Sequence, residues 1–411
     1  MDRIELLAPA GNLEKAKTAI LYGADAVYIG GKEFSLRSRA SNFDLDQIEE
    51  LCQFAHAHGS HVHVTVNMLP HPEDLHDLKE YLLALDKAGV DAIIVASAGI
   101  MKLAKSLPVS YEIHVSTQHS TTNSKAVEFW KKQGMDRVVL ARECGMDQID
   151  SIVRQNILPI EVFIHGGMCI SFSGRCVLSN HMTNRDANRG GCAQSCRWKY
   201  ALRDGDRTLS DPDNLFSMSS KDMQAVDYME DFIKMGVASL KIEGRMKSAY
   251  YLATVVSAYR RLIDHIYENG TADPAFLEEI KTEIAKAENR PTGPGFYNGE
   301  PDSTVQLYRD HDETVTQEYI ASVEEILEDG WVILRVRNKF FPHIDAEIFG
   351  PTLNSTPLKL GEVFDLDGNV MEVCSNPMAL VKTRLPLAQE FAMIRKRRPE
   401  KAETVEKQTE S

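Results

Sequence analysis

Hydrophobic and polar positions repeat one pattern from the first residue to about Lys247: a short β-branched run, a loop with Gly, Pro, Ser or Asn, then a longer amphipathic stretch. Eight runs read as strands: Ile4 to Ala8, Ala26 to Ile29, His61 to Val66, Ala92 to Ala96, Tyr111 to Val115, Arg137 to Ala141, Ile160 to Ile164 and Ala238 to Ile242. Between them LEKAKTAILYG, DQIEELCQFAHAHG, EDLHDLKEYLLALDKAG and NSKAVEFWKKQG carry helical periodicity, and each closes on a Gly suited to a helix C-cap. Eight β-α units in about 250 residues predict an α/β fold, a TIM-type (β/α)8 barrel. A doubly wound open sheet is the alternative, but no Gly-rich fingerprint follows the first strand.

The seventh unit breaks the rhythm. Roughly 70 residues separate strands seven and eight, and in a barrel that loop opens onto the catalytic face. Beyond strand eight come helical patterns in SAYYLATVVSAYRRLIDHIYENG and from Phe276 to Lys286, then a break at RPTGPGFYNGEP, whose GPGFYNG reads as a plain linker. From about Thr304 to Arg395 the runs YIASVEEI, DGWVILRVRN, AEIFGP, EVFDLDGNVMEV and AMIRKR alternate with turn signals, predicting a small C-terminal all-β barrel or sandwich. The expected domains are 1–300, the barrel with a cysteine-bearing loop (165–200) and helical extension; 301–398, the β-barrel; and 399–411, a disordered tail.

Composition narrows the class without naming a function. With 43% hydrophobic and 26% charged residues and a mean hydropathy of −0.28, the 411-residue chain reads as globular. The acids in MDRIELLAPAGNLEKA argue against a secretory or transit peptide, and no apolar run suits a membrane span, so the expected compartment is the cytoplasm. A net charge of −14 gives no bulk reason to expect a nucleic acid or membrane partner.

Local chemistry reverses that reading. Of seven cysteines, Cys52, Cys144 and Cys374 are scattered, whereas Cys169, Cys176, Cys192 and Cys196 share one loop with six, fifteen and three residues between neighbours. Four thiolates so placed suit a tetrahedral zinc or a cubane iron-sulfur cluster, and the lack of paired two-residue knuckles favours the cluster. From His165 to Tyr200 five basic residues, Arg175, Arg185, Arg189, Arg197 and Lys199, face the single acid Asp186. Such a patch suits an anion, either a small carboxylate or a polynucleotide backbone.

Strand ends converge at a barrel mouth and supply the remaining candidates. They are Asn12, Arg37, Asn42, Asn67, Ser116, Thr117, Gln118, Arg142, Glu143, His165, Lys241, Glu243 and Arg245. Of these, His165 is a candidate proton shuttle, and His165, Glu243 and Arg245 are the expected catalytic group. Arg37, Asn67, Gln118, Arg142, Arg175, Arg197 and Lys241 are expected to bind substrate. In KIEGRMKS, Arg245 and Lys247 open a helix where an anion can bind. H-E-x-x-H, G-x-S-x-G and Walker A motifs are absent.

The run EVFIHGGMCISFSGRCVLSNHM, with GGCAQSCRW after it, resembles the signature of the collagenase-like peptidase family of undefined catalytic type. LLAPAGNLEKAKTAILYGADAVYIGG, KIEGRMKSAYY and NRPTGPGFYNG extend the resemblance over nearly the whole chain. The domain layout is similar to the family's tRNA-hydroxylation branch, which installs 5-hydroxyuridine at the anticodon wobble position. That resemblance implies a 4Fe-4S cluster on Cys169, Cys176, Cys192 and Cys196, with zinc as the alternative, and prephenate, a dicarboxylate, as co-substrate. It implies tRNA as partner, docked partly by the β domain, where Arg335, Arg337, Lys339 and the run Arg395 to Arg398 would meet phosphates. Two other functions stay open: a peptidase with a nucleophile or metal-bound water near His165 and Glu243, and a non-catalytic iron-sulfur assembly or maturation factor. The sequence leaves a homo- or hetero-oligomer equally open.

Overall fold

All eight β-branched runs form parallel strands: β1 Glu5–Pro9, β2 Ala26–Gly30, β3 His61–Val66, β4 Ala92–Val95, β5 Glu112–Val115, β6 Arg137–Val139, β7 Ile160–Gly166 and β8 Ser239–Ile242. Each pairs with the next, and β8 pairs with both β7 and β1, so the sheet closes on itself and the barrel expectation holds. The computed structural model describes residues 3–35, 42–213, 215–287, 290–307 and 316–398. Its contacts divide the chain into two units, residues 1–284 with 288–314, and 285–287 with 315–411.

The helices begin where polar side chains satisfy the first free backbone N–H groups. Asn12 caps α1 (Leu13–Leu21) by accepting from Lys15 N at 2.9 Å, and Asp44 forms a capping box with Gln47 on α2 (Leu45–Ala57). Asn12 is therefore a cap. The long α3 (Ala249–Asn269) is capped by Ser248 and ends on Gly270 in the left-handed region. Its Tyr259 hydroxyl reaches inward to donate to Ile164 O, tying the helix to β7 at 3.1 Å.

Two additions to the barrel are not predicted by periodicity. A short antiparallel strand, Asp222–Gln224, runs back along the end of β7, opposing Met223 to Gly166 and Gln224 to His165. Thr292 and Gly293 then pair with Asp222 and Met223, and the buried Tyr297 hydroxyl donates to Phe163 O. The segment expected to be a plain linker is thus part of the barrel wall, because its backbone groups find partners on the strand next to β7.

The interior of the barrel is unusually polar at its lower end. Leu7, Ala26, Tyr28 and Ile94 form an apolar layer, but Glu5, His63, His114, Arg137, Glu161 and Lys241 lie buried or nearly so below and beside it.

In the second unit seven strands form one curled antiparallel sheet around a core that includes Ile320, Leu334, Phe340 and Ile348. They are β9 Gln317–Ile326, β10 Trp331–Val336, β11 Asp345–Phe349, β12 Thr356–Lys359, β13 Val363–Phe364, β14 Leu380–Arg384 and β15 Met393–Arg397. The strands β12 and β14 have no counterpart among the predicted runs; Pro357 is tolerated because β12 is an edge strand. Residues 399–411, the expected tail, lie outside the described residues. No helix among the described residues is long and apolar enough to cross a membrane.

Candidate functional site at the barrel mouth

The insertion after β7 is held over the C-terminal face of the barrel by hydrogen bonds from residues of several strand ends. Arg142 Nη1 donates to Gly167 O at 3.1 Å, its guanidinium lying over the Phe163 ring at 3.9 Å. Arg197 Nη2 donates to Met168 O at 2.7 Å, while its Nη1 reaches Ser219 Oγ at 2.8 Å and Ser220 O at 2.7 Å. Glu143 accepts from Ser173 N at 3.0 Å, Ser120 donates to Ser173 O, and Thr117 Oγ1 stands 3.4 Å from Ser173 Oγ. Asn188 donates to Cys176 O at 3.2 Å, and Arg189 is paired with Asp74 at 2.5 Å.

Those contacts place two of the expected substrate ligands in another role. Arg142 and Arg197 donate to the carbonyls of the two residues that precede Cys169, so they are positioning residues for the cysteine loop. Gly174 has a positive φ of 72°, and a side chain there would collide with the Gln118 carbonyl oxygen. Only glycine lets the loop lie this close to the strand-five end.

The loop gathers all four cysteines. Cys169 and Cys192 are exposed, Cys176 and Cys196 half-buried, and none forms a disulfide. Partial desolvation by the folded loop raises the Cys169 and Cys196 thiols, and the neighbouring sulfurs raise them further. Cys169 feels Cys176 and Cys196; Cys196 also feels Cys192. The Ser171 amide and the Arg142 charge act the other way on Cys169, favouring its thiolate. A closed set of mutually interacting thiols, with an amide and guanidinium groups turned toward them, is a chemically suitable holder for a cluster or metal.

His165 lies at the end of β7, where it is 2% exposed and burial drives its pKa to about 3, helped by the Lys247 charge. Its Nδ1 stands 3.3 Å from the Tyr259 hydroxyl. It is a neutral imidazole at physiological pH, packed beside Tyr251 and Tyr259. Glu243 stands close by, its N–H donating to His165 O at 2.8 Å. A side chain at Gly167 would meet the Glu243 carboxylate at 3.6 Å, the Asp222 carboxylate at 3.9 Å and the Arg197 guanidinium at 4.0 Å. Asp222 is the member of this group that sequence reading missed; the mixed stretch SKDMQAV carries no periodic signal that would single it out.

The other candidates separate by depth. Arg245, 5% exposed, donates to Ser35 Oγ at 3.0 Å, Thr65 Oγ1 at 3.2 Å and Asn42 Oδ1 at 2.8 Å, pinning the segments after β2 and β3 rather than facing solvent. Lys241 does not reach the mouth. It lies inside the barrel, paired with Glu161 at 2.7 Å and 4.4 Å from the Tyr28 ring centroid, so the expectation that it binds substrate gives way to a core ion pair. Asn67 and Gln118 are half-buried at the mouth and Arg175 is exposed there. Arg37 lies outside the described residues.

The core ion pair belongs to a buried network. Arg137 bridges Glu5 at 2.5 Å and Glu161 at 3.4 Å, and Ser239 donates to Glu5 at 2.7 Å. Burial alone would raise the Glu5 carboxyl, but His63, Arg137 and Ser239 hold it at about 2. Burial lowers the His63 and His114 pKa values from the ordinary imidazole range. His63, His114 and Glu161 offer three ligand atoms within 4.8 Å of one another. Glu161 is already shared by two cations, and a divalent ion there would add charge to a dry, cation-rich interior.

Several basic residues of the second unit are paired with carboxylates. Arg395, expected to meet phosphate, is fully buried and donates to Glu347 at 2.9 Å and Ser355 at 2.8 Å. On the alternating strand it lies on the face opposite the core residue Ile394, over the Phe349 ring at 4.5 Å. Arg335 is paired with Glu324 at 2.8 Å and Lys396 with Glu318 at 3.2 Å. Arg397 and Arg398, at the end of the run, are exposed.

Residues 11–307 match peptidase family U32, and residues 315–395 match the C-terminal domain of the same family. The chain belongs to peptidase family U32. It is 44% identical over 390 residues to the tRNA hydroxylation protein P1 of Bacillus subtilis, covering 93% of this chain and 92% of that protein. It is 33% identical to the tRNA hydroxylation protein P of Escherichia coli, over 68% of this chain and 72% of that one. A third relative, the 23S rRNA 5-hydroxycytidine C2501 synthase of Escherichia coli, is 42% identical over 65% of this chain but only 40% of its own length.

Proposed function

We propose that this chain is an RNA-base hydroxylase, acting on tRNA to place 5-hydroxyuridine at the wobble position, with prephenate as co-substrate and a 4Fe-4S cluster on Cys169, Cys176, Cys192 and Cys196. The observation that carries the reading is the loop of four unpaired thiols held over the mouth of a closed barrel, in a chain similar over nearly its full length to a tRNA hydroxylation protein. Iron-sulfur suits the spacing better than zinc. Six, fifteen and three residues between neighbouring cysteines lack the paired two-residue knuckles of structural zinc sites.

When bound, such a cluster supplies one-electron redox chemistry. The chain's own residues do the remaining work. Arg142, Arg197 and Glu143 fix the loop that carries the thiols. Asn67 and Gln118, half-buried at the mouth, would meet a dicarboxylate, while the buried His165 and the half-buried Glu243 would close the floor beside them. A base that is to react at carbon must leave its stack and enter the mouth. A substrate of this kind implies work in the cytoplasm.

The deciding experiment is nucleoside mass spectrometry of tRNA from cells lacking this chain, complemented by wild type or Cys169→Ala. Loss of 5-hydroxyuridine derivatives, restored by wild type alone, is expected. Unchanged modification in the deletion, in a strain with no second route, would sink the proposal. Iron and acid-labile sulfide measured on anaerobically purified protein separate cluster from zinc.

A further inference from the structure

The cysteine loop leaves large apolar side chains in water. Phe172 is 63% exposed and Val177 70%, and Trp198, two residues after Cys196, is 42% exposed. Side chains of this size on a folded unit mark a surface that something covers. Phe172 lies between Cys169 and Cys176, and Arg197, next to Trp198, donates to Met168 O at 2.7 Å, so the chain before Trp198 is joined to the chain before Phe172. Arg175 N donates to Phe172 O at 3.0 Å, which sets Arg175 beside that ring. The Arg175 guanidinium is exposed, and Arg185 Nε is buried with no acceptor; neither arginine pairs with a carboxylate among the described residues.

Aromatic faces interleaved with unpaired guanidinium groups are the chemistry of single-stranded nucleic acid binding, in which bases stack and phosphates meet cations. We propose that Phe172 and Trp198 are stacking platforms for unpaired bases of an RNA loop, with Arg175 and Arg185 holding its phosphates. The inference rests on the RNA-hydroxylase reading and deepens it: the loop that carries the thiols also grips the bases on either side of the one that enters the mouth. Charge selects the occupant. The stretch from His165 to Tyr200 holds five basic residues and one acid, so it attracts a polyanion; an acidic protein surface would tolerate Leu in place of Trp198, whereas stacked bases would not.

The test uses the full-length protein with a stem-loop RNA and a fully paired duplex of the same composition. Phe172→Ala and Trp198→Ala are expected to weaken stem-loop binding about 5- to 150-fold each and to leave duplex binding unchanged. Trp198→Phe should retain most of the affinity and Trp198→Leu should lose it, since only the former keeps a π face. In a Trp331→Phe background tryptophan emission should be quenched by the stem-loop, and not when Trp198→Phe is added, because the remaining Trp130 is 8% exposed. Arg175→Gln and Arg185→Gln should each shallow the salt dependence of binding, by a slope of about 0.7. Equal affinity of wild type, Trp198→Leu and Phe172→Ala for the stem-loop overturns the stacking proposal while leaving the enzyme reading intact. A wild-type protein with no affinity for any stem-loop RNA overturns the RNA reading itself. Unchanged circular dichroism and iron content in each variant tie any loss to the binding surface.

Discussion

Arg197 donates to the carbonyl of Met168 at 2.7 Å, so the residue that follows the fourth cysteine clamps the residue that precedes the first. The two ends of the cysteine set are joined by one side chain, which also reaches Ser219 and Ser220 on the way back to the barrel. Burial lowers the Arg197 pKa, but a guanidinium stays charged at any physiological pH. Replacing it by Lys keeps the charge and loses the fork. Arg197→Lys is expected to fold with normal circular dichroism while iron per chain after anaerobic reconstitution falls to less than half of wild type. Full iron content in that variant would show that the clamp is dispensable.

Gly174 tests the same loop through the backbone. An added methyl meets the Gln118 carbonyl at a positive φ, so Gly174→Ala must move the loop away from the strand-five end, at a cost of about 2–4 kcal/mol. Limited proteolysis should cut between Cys169 and Cys196 faster in the variant. The melting temperature of the second unit should not move.

Acid stability should depend on Glu5. Its folded pKa of about 2 lies below the ordinary 4.5, so its contribution is present in full above about pH 5 and is lost as the pH falls toward 2. The size is about 3 kcal/mol. Glu5→Gln is expected to lower the melting temperature at neutral pH and to flatten its fall between about pH 5 and about pH 3. Parallel curves for the two proteins would remove Glu5 from the account.

The buried Lys241–Glu161 pair should behave as a coupled unit. Lys241→Met leaves a carboxylate inside the barrel with Arg137 as its remaining cation and should destabilise by about 3–5 kcal/mol. The double variant Lys241→Met with Glu161→Gln should recover part of that loss, measured by urea denaturation as a coupling energy. Additive losses would mean that the two groups do not support each other.

Much of the mouth was legible because its residues follow β-branched runs, and a barrel sends every such position to one face. The cysteine set was legible from spacing alone. What residue type could not reveal was depth. Lys241 and Arg245 sit at strand ends in the sequence, yet one points down into the core and the other lies under the segments it pins. Arg395 shows the same limit, since a basic run on a strand sends alternate residues to opposite faces and one of them ends fully buried. Asp222 was hidden because a three-residue antiparallel strand has too short a period to recognise.

The sequence by itself determined the eight-strand order, the helices between, the β-rich C-terminal unit and the four thiols, because each rests on periodicity or on local spacing. Tertiary structure alone decided that Arg142 and Arg197 hold the loop and that the GPGFYNG segment joins the barrel wall. It also decided that the barrel floor carries an ion network. These depend on which backbone carbonyls and carboxylates meet across more than twenty residues of chain, and a distance of that kind is set only when the sheet closes.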